Sequence, residues 1–141
     1  MVLKRLLFPV ESRFFPGQRW ANISLRTLHL IGVAGLGGGF LYPAEGEGWR
    51  LFLDLTIASG LGLMLISIWN NGVWLIQLRG QAILLKLLLL ALIPLLPELR
   101  LSLFIATLVI SGIIAHAPAS VRYYSLYHRR RIESIRREPY H

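Results

Sequence analysis

The chain has 141 residues and no cysteine. That excludes disulfides, thiolate metal sites and thiol catalysis. Acids are scarce as well: seven Asp and Glu stand against fifteen Lys and Arg. There is no HExxH, Walker A or GxSxG motif and no paired-carboxylate signature, so hydrolysis of the kind soluble enzymes perform is not supported. The two methionines are Met1 and Met64. Cu(I) prefers thiolate or thioether ligands, so a dedicated copper pathway has little to work with. Charge of either sign makes up 16% of the chain, against about 25% in a soluble globular domain.

What the chain does have is apolar length. It is 55% hydrophobic, with a mean hydropathy of +0.57, a composition of the membrane class. Four apolar segments can be drawn, at residues 23–42, 51–69, 82–96 and 99–117. A spanning helix needs about 20 residues and tolerates about 17, which leaves the third segment short. "LPELR" makes a tight hairpin between the third and fourth, with Pro97 ending a helix, and "PAEGEGWR" is a turn between the first two. Residues 70–81, "NNGVWLIQLRGQ", are expected to lie flat on the membrane surface. The expected fold is an all-α integral membrane protein. Residues 1–22 form an interfacial segment in which Lys4, Arg5, Arg13 and Arg19 face anionic lipid, residues 23–118 a four-helix transmembrane domain of two hairpins, and residues 119–141 a basic tail. That tail is read as helical, with Tyr123, Tyr124 and Tyr127 near the interface.

The formal net charge of +8 does not indicate nucleic acid, because the basic residues flank the apolar runs and do not cover a soluble domain. The N-terminal stretch lacks the unbroken apolar region and small-residue cleavage site of a signal peptide. Lys4, Arg5, Arg13, Arg19 and Arg26 precede or open the first segment, Arg79 sits in the middle loop, and Arg122 and Arg129 to Arg131 follow the fourth. The other loops hold only Arg50 and Arg100, among Glu45, Glu47 and Glu98. Positive charge stays inside, so both termini are expected in the cytoplasm of a bacterial inner membrane protein. Asp54 is read as a cap or rim ion pair with Arg50 or Arg100.

Ionisable residues inside membrane segments cost about 2.5–3.5 kcal/mol even on lenient scales. His29, Lys86 and His116 come from three segments and are expected at one depth in the cytoplasmic third, flanked by Arg26 and Arg122. Each has a structural explanation: Lys86 can snorkel, and the histidines can tie helices together. The functional alternative is a ligand site. His29 and His116 could ligate the iron of a haem b, with Lys86, Arg26 and Arg122 near its propionates. A quinone contacted near the interface fits the same residues. Most of the glycines, Gly35 and Gly39 in a GxxxG spacing among them, are assigned to helix packing.

"RTLHLIG" in the first segment, followed by a glycine-rich stretch, and "LLKLLLL" in the third resemble small multi-helix membrane proteins of the copper-resistance protein D and HemJ-type protoporphyrinogen oxidase kind. The resemblance implies that His29 and Lys86 are the matching positions and that haem b is the associated cofactor. The chain departs from that pattern in His116 with Pro118 and in its basic tail. The expected function is that of a haem b or quinone-associated redox or haem-handling protein. Two others are weighed beside it: a non-catalytic subunit packing against a larger membrane complex, and copper or small-solute transport.

Overall fold

A computed structural model describes residues 2–42 and 46–133. The described chain is dominated by helix: α1 (Val2–Leu7), α2 (Gln18–Leu41), α3 (Trp49–Asn70), α4 (Leu78–Leu92), α5 (Arg100–His116) and the single turn α6 (Ala119–Arg122). Gln18–Leu41, Trp49–Asn70 and Pro97–His116 are long and apolar enough to cross a membrane. α4, with 15 residues, rises only about 22 Å at 1.5 Å per residue. The sequence reading put this helix at 82–96 and ended it at Pro97. It ends earlier because Pro94 has no N–H to continue the ladder. The chain tightens there instead, with Ile93 N–H donating to the Leu90 carbonyl (3.2 Å) and both Leu95 (3.0 Å) and Leu96 (2.9 Å) N–H to that of Leu92.

α2 and α3 pack most closely, and glycine makes this possible. A Cβ on Gly35 would overlap the Phe52 ring, and one on Gly39 would lie 2.8 Å from Trp49 Cβ. Gly32 meets Thr56 in the same way. The best-filled core lies toward the α2–α3 turn, where Leu36, Phe40, Trp49, Leu53, Leu90, Ile93 and Phe104 cluster. Phe40 stacks against Trp49 at 5.4 Å and meets Phe104 edge-on at 5.7 Å. Large apolar side chains also face outward all round the bundle: Leu30 is 68% exposed, Leu51 71% and Ile113 63%. At the same end, Arg50 pairs with Glu47, and Asp54 makes no ion pair among the described residues.

The opposite end is closed by three segments distant in sequence. Arg13 does not face outward toward lipid. Its Nε donates to the Trp69 carbonyl (3.0 Å), its backbone N–H to that of Asn70 (2.9 Å), and its guanidinium lies 4.4 Å from the Trp69 ring. The last carbonyls of α3 have no partner within the helix and carry its negative dipole end, so they draw a cation. Residues 70–81 also pack inward. Gly72–Ile76 is a 3₁₀ turn with Val73 and Trp74 buried, and Gly72 packs against the Leu7 carbonyl too closely for a Cβ.

The tail differs from expectation as well. Beyond α6 it folds into a hairpin, β1 (Tyr124–Ser125) pairing antiparallel with β2 (Arg130–Arg131). The left-handed backbone of Arg129 (φ 51°) and the bond from His128 N–H to Ser125 Oγ (3.3 Å) turn the chain back. Buried Gln77 then donates through Nε2 to the Ile132 carbonyl (2.6 Å). Tyr123 and Tyr124 are half-buried and Tyr127 is exposed. The remainder of the tail, 134–141, lies outside the described residues.

Candidate functional site

Between the packed core and the closing segments lies a cavity of about 230 Å³ to which α2, α3, α4 and α5 all contribute. Its walls are mostly leucine, isoleucine, valine and Phe104, and its polar groups are His29, Lys86, Thr56, Thr107 and Ser111. On α5, Phe104, Thr107, Leu108 and Ser111 line it at i, i+3, i+4 and i+7, one face of a helix. Ile83, Lys86, Leu87 and Leu90 repeat that spacing on α4. Among the described residues no Asp or Glu lines it.

The hydrogen bonds around His29 fix its tautomer. Its Nδ1 lies 3.0 Å from the Thr56 carbonyl and 3.0 Å from Ser59 Oγ. A carbonyl only accepts, and Ser59 Oγ spends its own proton on the Leu55 carbonyl (2.7 Å). Nδ1 therefore carries the hydrogen, and Nε2 is left with a lone pair. Among the described residues Nε2 has no hydrogen-bond partner. Lys86 Nζ donates to Ser111 Oγ (3.0 Å), which uses one of its three donors. The site thus offers an apolar slot with an acceptor from α2 and a cationic donor from α4.

Of the five residues read from the sequence, His29 and Lys86 line this one cavity. His116, Arg26 and Arg122 are not among its walls. Lys86 meets α5 at Ser111, and His116 lies five residues further on, about 7.5 Å along the axis. Its exposed ring places Nδ1 2.9 Å from the Gly112 carbonyl of its own last turn, satisfying a carbonyl the helix end leaves open. Arg26 is exposed on α2, beside Arg19 and Trp20. Arg122 belongs to the closing segments.

The sequence reading missed Thr56, Ser59, Thr107 and Ser111. A hydroxyl in an apolar helix can bond the carbonyl one turn back, as Thr56 does to Phe52 and Thr107 to Phe104 (both 2.7 Å). Such residues therefore pass as neutral filler. The legible signal was their spacing within their own helices, Thr56 and Ser59 at i, i+3 on α3 and Thr107 and Ser111 at i, i+4 on α5, each pair on one face. No protein-family model, curated protein or solved structure matches the chain.

Proposed function

We propose that this is a four-crossing inner-membrane protein whose mid-bundle cavity binds the head group of a lipid-soluble quinol. α4 and the turn after it supply the fourth crossing, and the arginine-rich closing segments face the cytoplasm. The outward belt of leucine and isoleucine supports a lipid environment, since a water-soluble chain of this size rarely leaves so much contiguous apolar surface exposed.

The observation that carries the ligand class is the unlike pair on the cavity walls, His29 Nε2 accepting and Lys86 Nζ donating, with no acid among the described residues lining the cavity to neutralise the lysine. A quinol satisfies both. One hydroxyl donates to Nε2 and the other oxygen accepts from Nζ, while the ring lies among leucine and Phe104. The oxidised quinone would set a carbonyl oxygen against the Nε2 lone pair, so the reduced form is preferred. The volume suits a single substituted ring, with its tail leaving between helices, since larger ligands of drug size occupy about 300–1,000 Å³.

Titration of the purified protein with a short-chain quinol tests this. Lys86→Met should weaken binding about 10- to 150-fold, the loss of a charged hydrogen bond worth about 1.5–3 kcal/mol. His29→Leu should weaken it and abolish the preference for the reduced form, while His116→Ala should leave binding unchanged. Equal binding by all three variants would overturn the reading.

A haem b is the second reading. The tautomer of His29, with Nδ1–H on a backbone carbonyl and Nε2 open, is the one a metal-ligating histidine uses. A reduced-minus-oxidised absorbance difference that disappears in His29→Leu would replace quinol by haem.

A further inference from the structure

The closing segments contain a second pocket, of about 300 Å³, whose lining includes Ser12, Asn71, Arg79, Tyr123, Arg131 and Glu133. Two guanidiniums of that lining, and a third from Arg122 outside it, lie against the Tyr123 ring. The Cζ atoms of Arg79, Arg131 and Arg122 lie 4.5, 5.5 and 5.9 Å from the Tyr123 centroid. They arrive from α4, β2 and α6, so the fold assembles them from distant parts of the chain. Each cation gains something from the ring face, yet three like charges this close repel one another.

Their neutralisation is incomplete. Glu133 pairs with Arg131, but both side chains are more than half exposed (60% and 54%), so water weakens the pair. Arg79 Nε donates to Gln77 Oε1 (2.7 Å), a neutral acceptor. Arg122 Nε is buried and, among the described residues, has no hydrogen-bond partner. The pocket lining carries Arg79 and Arg131 against Glu133, two positive charges and one negative, a net +1, and Arg122 on the Tyr123 ring adds a further positive charge nearby. Open guanidinium donors in a concave, net-positive site match the oxygens of a phosphate. Ser12 and Asn71 add polar side chains suited to a hydroxylated neighbour.

We propose that this pocket binds a phosphate group, and that its source is the glycerol-bearing head group of an anionic phospholipid. The lipid source rests on the membrane reading above; the phosphate chemistry does not. In a chain that crosses the bilayer, the closing segments sit at head-group level, where phosphodiesters are abundant and local.

Native mass spectrometry of the full-length protein, titrated in detergent with phosphatidylglycerol, phosphatidylcholine or inorganic phosphate, tests the pocket. Wild type should retain phosphatidylglycerol over phosphatidylcholine. The Arg79→Gln/Arg131→Gln double variant should bind it at least tenfold more weakly. Glu133→Gln removes the competing acid and should tighten binding several-fold, a gain that misfolding cannot produce. Retention of inorganic phosphate without phosphatidylglycerol, lost in the double variant, would keep the phosphate site and assign it to a soluble phosphate ester. Retention of neither, unchanged retention of phosphatidylglycerol in all variants, or capture of a poly-glutamate peptide with no phosphate binding would overturn the proposal.

Discussion

His29 and His116 share a side chain but differ in environment. His29 meets a carbonyl on another helix and is left with an open lone pair beside a cavity; His116 closes its own helix end in the open. The glycines divide in the same way. Gly35 is pressed against the Phe52 ring, whereas Gly112 has nothing within 4 Å of its Cβ position. Gly35→Val should therefore destabilise the α2–α3 pair by about 1–3 kcal/mol, the cost of overpacking. Gly112→Ala should stabilise α5 by about 0.5–1 kcal/mol, because glycine in a helix interior is costly relative to alanine. Thermal unfolding in detergent, followed by circular dichroism, should show midpoints moving in opposite directions.

The elements were unequally legible in the sequence. The three long helices follow from apolar length, but α2 begins at Gln18, five residues before the expected 23, after the left-handed backbone of Gly17 (φ 80°). The end of α4 was displaced because its sequence stays apolar from Leu87 to Leu96, and the lost N–H of Pro94 outweighs that continuity. His29 and Lys86 were readable because charge in an apolar run is conspicuous. Their pairing in one cavity was not, since it depends on the rotation of four helices about their axes. The closing segments were read least well. Polar, aromatic and glycine-containing stretches such as residues 70–81 carry the same composition whether they coat a membrane or pack into a core. The decisive contacts, Arg13 to Trp69 and Gln77 to Ile132, join residues 56 and 55 positions apart. Gln77→Leu should release the hairpin, because it strands the Ile132 carbonyl at a cost of about 1–3 kcal/mol. Limited trypsin digestion should then cut at Arg129 to Arg131 about 5- to 150-fold faster than in wild type. An unchanged rate would mean the hairpin is held by Tyr123 and its arginines instead.

At the scale of the whole molecule, the number of crossings between the α2–α3 turn and the tail decides the topology. A reporter inserted at Gly46 and one fused after His141 should report opposite compartments, the second cytoplasmic, because in the four-crossing proposal α3, α4 and α5 make three crossings. The same compartment for both would mean that short α4 dips in and returns. The bond between Gln77 and Ile132 also sets an order in time. Chains emerge from the ribosome at about 5–20 residues per second, so the 55 residues separating that pair take about 3–11 s to appear. Through that interval every residue of the α2–α3 contact has been made, but Gln77 has no carbonyl to receive its amide. The α2–α3 hairpin precedes both partners of that bond in the chain, whereas the arginines around Tyr123 cannot gather until Arg131 has been made. Any chain that stops after α5 lacks both the Gln77–Ile132 bond and the arginines that meet at Tyr123.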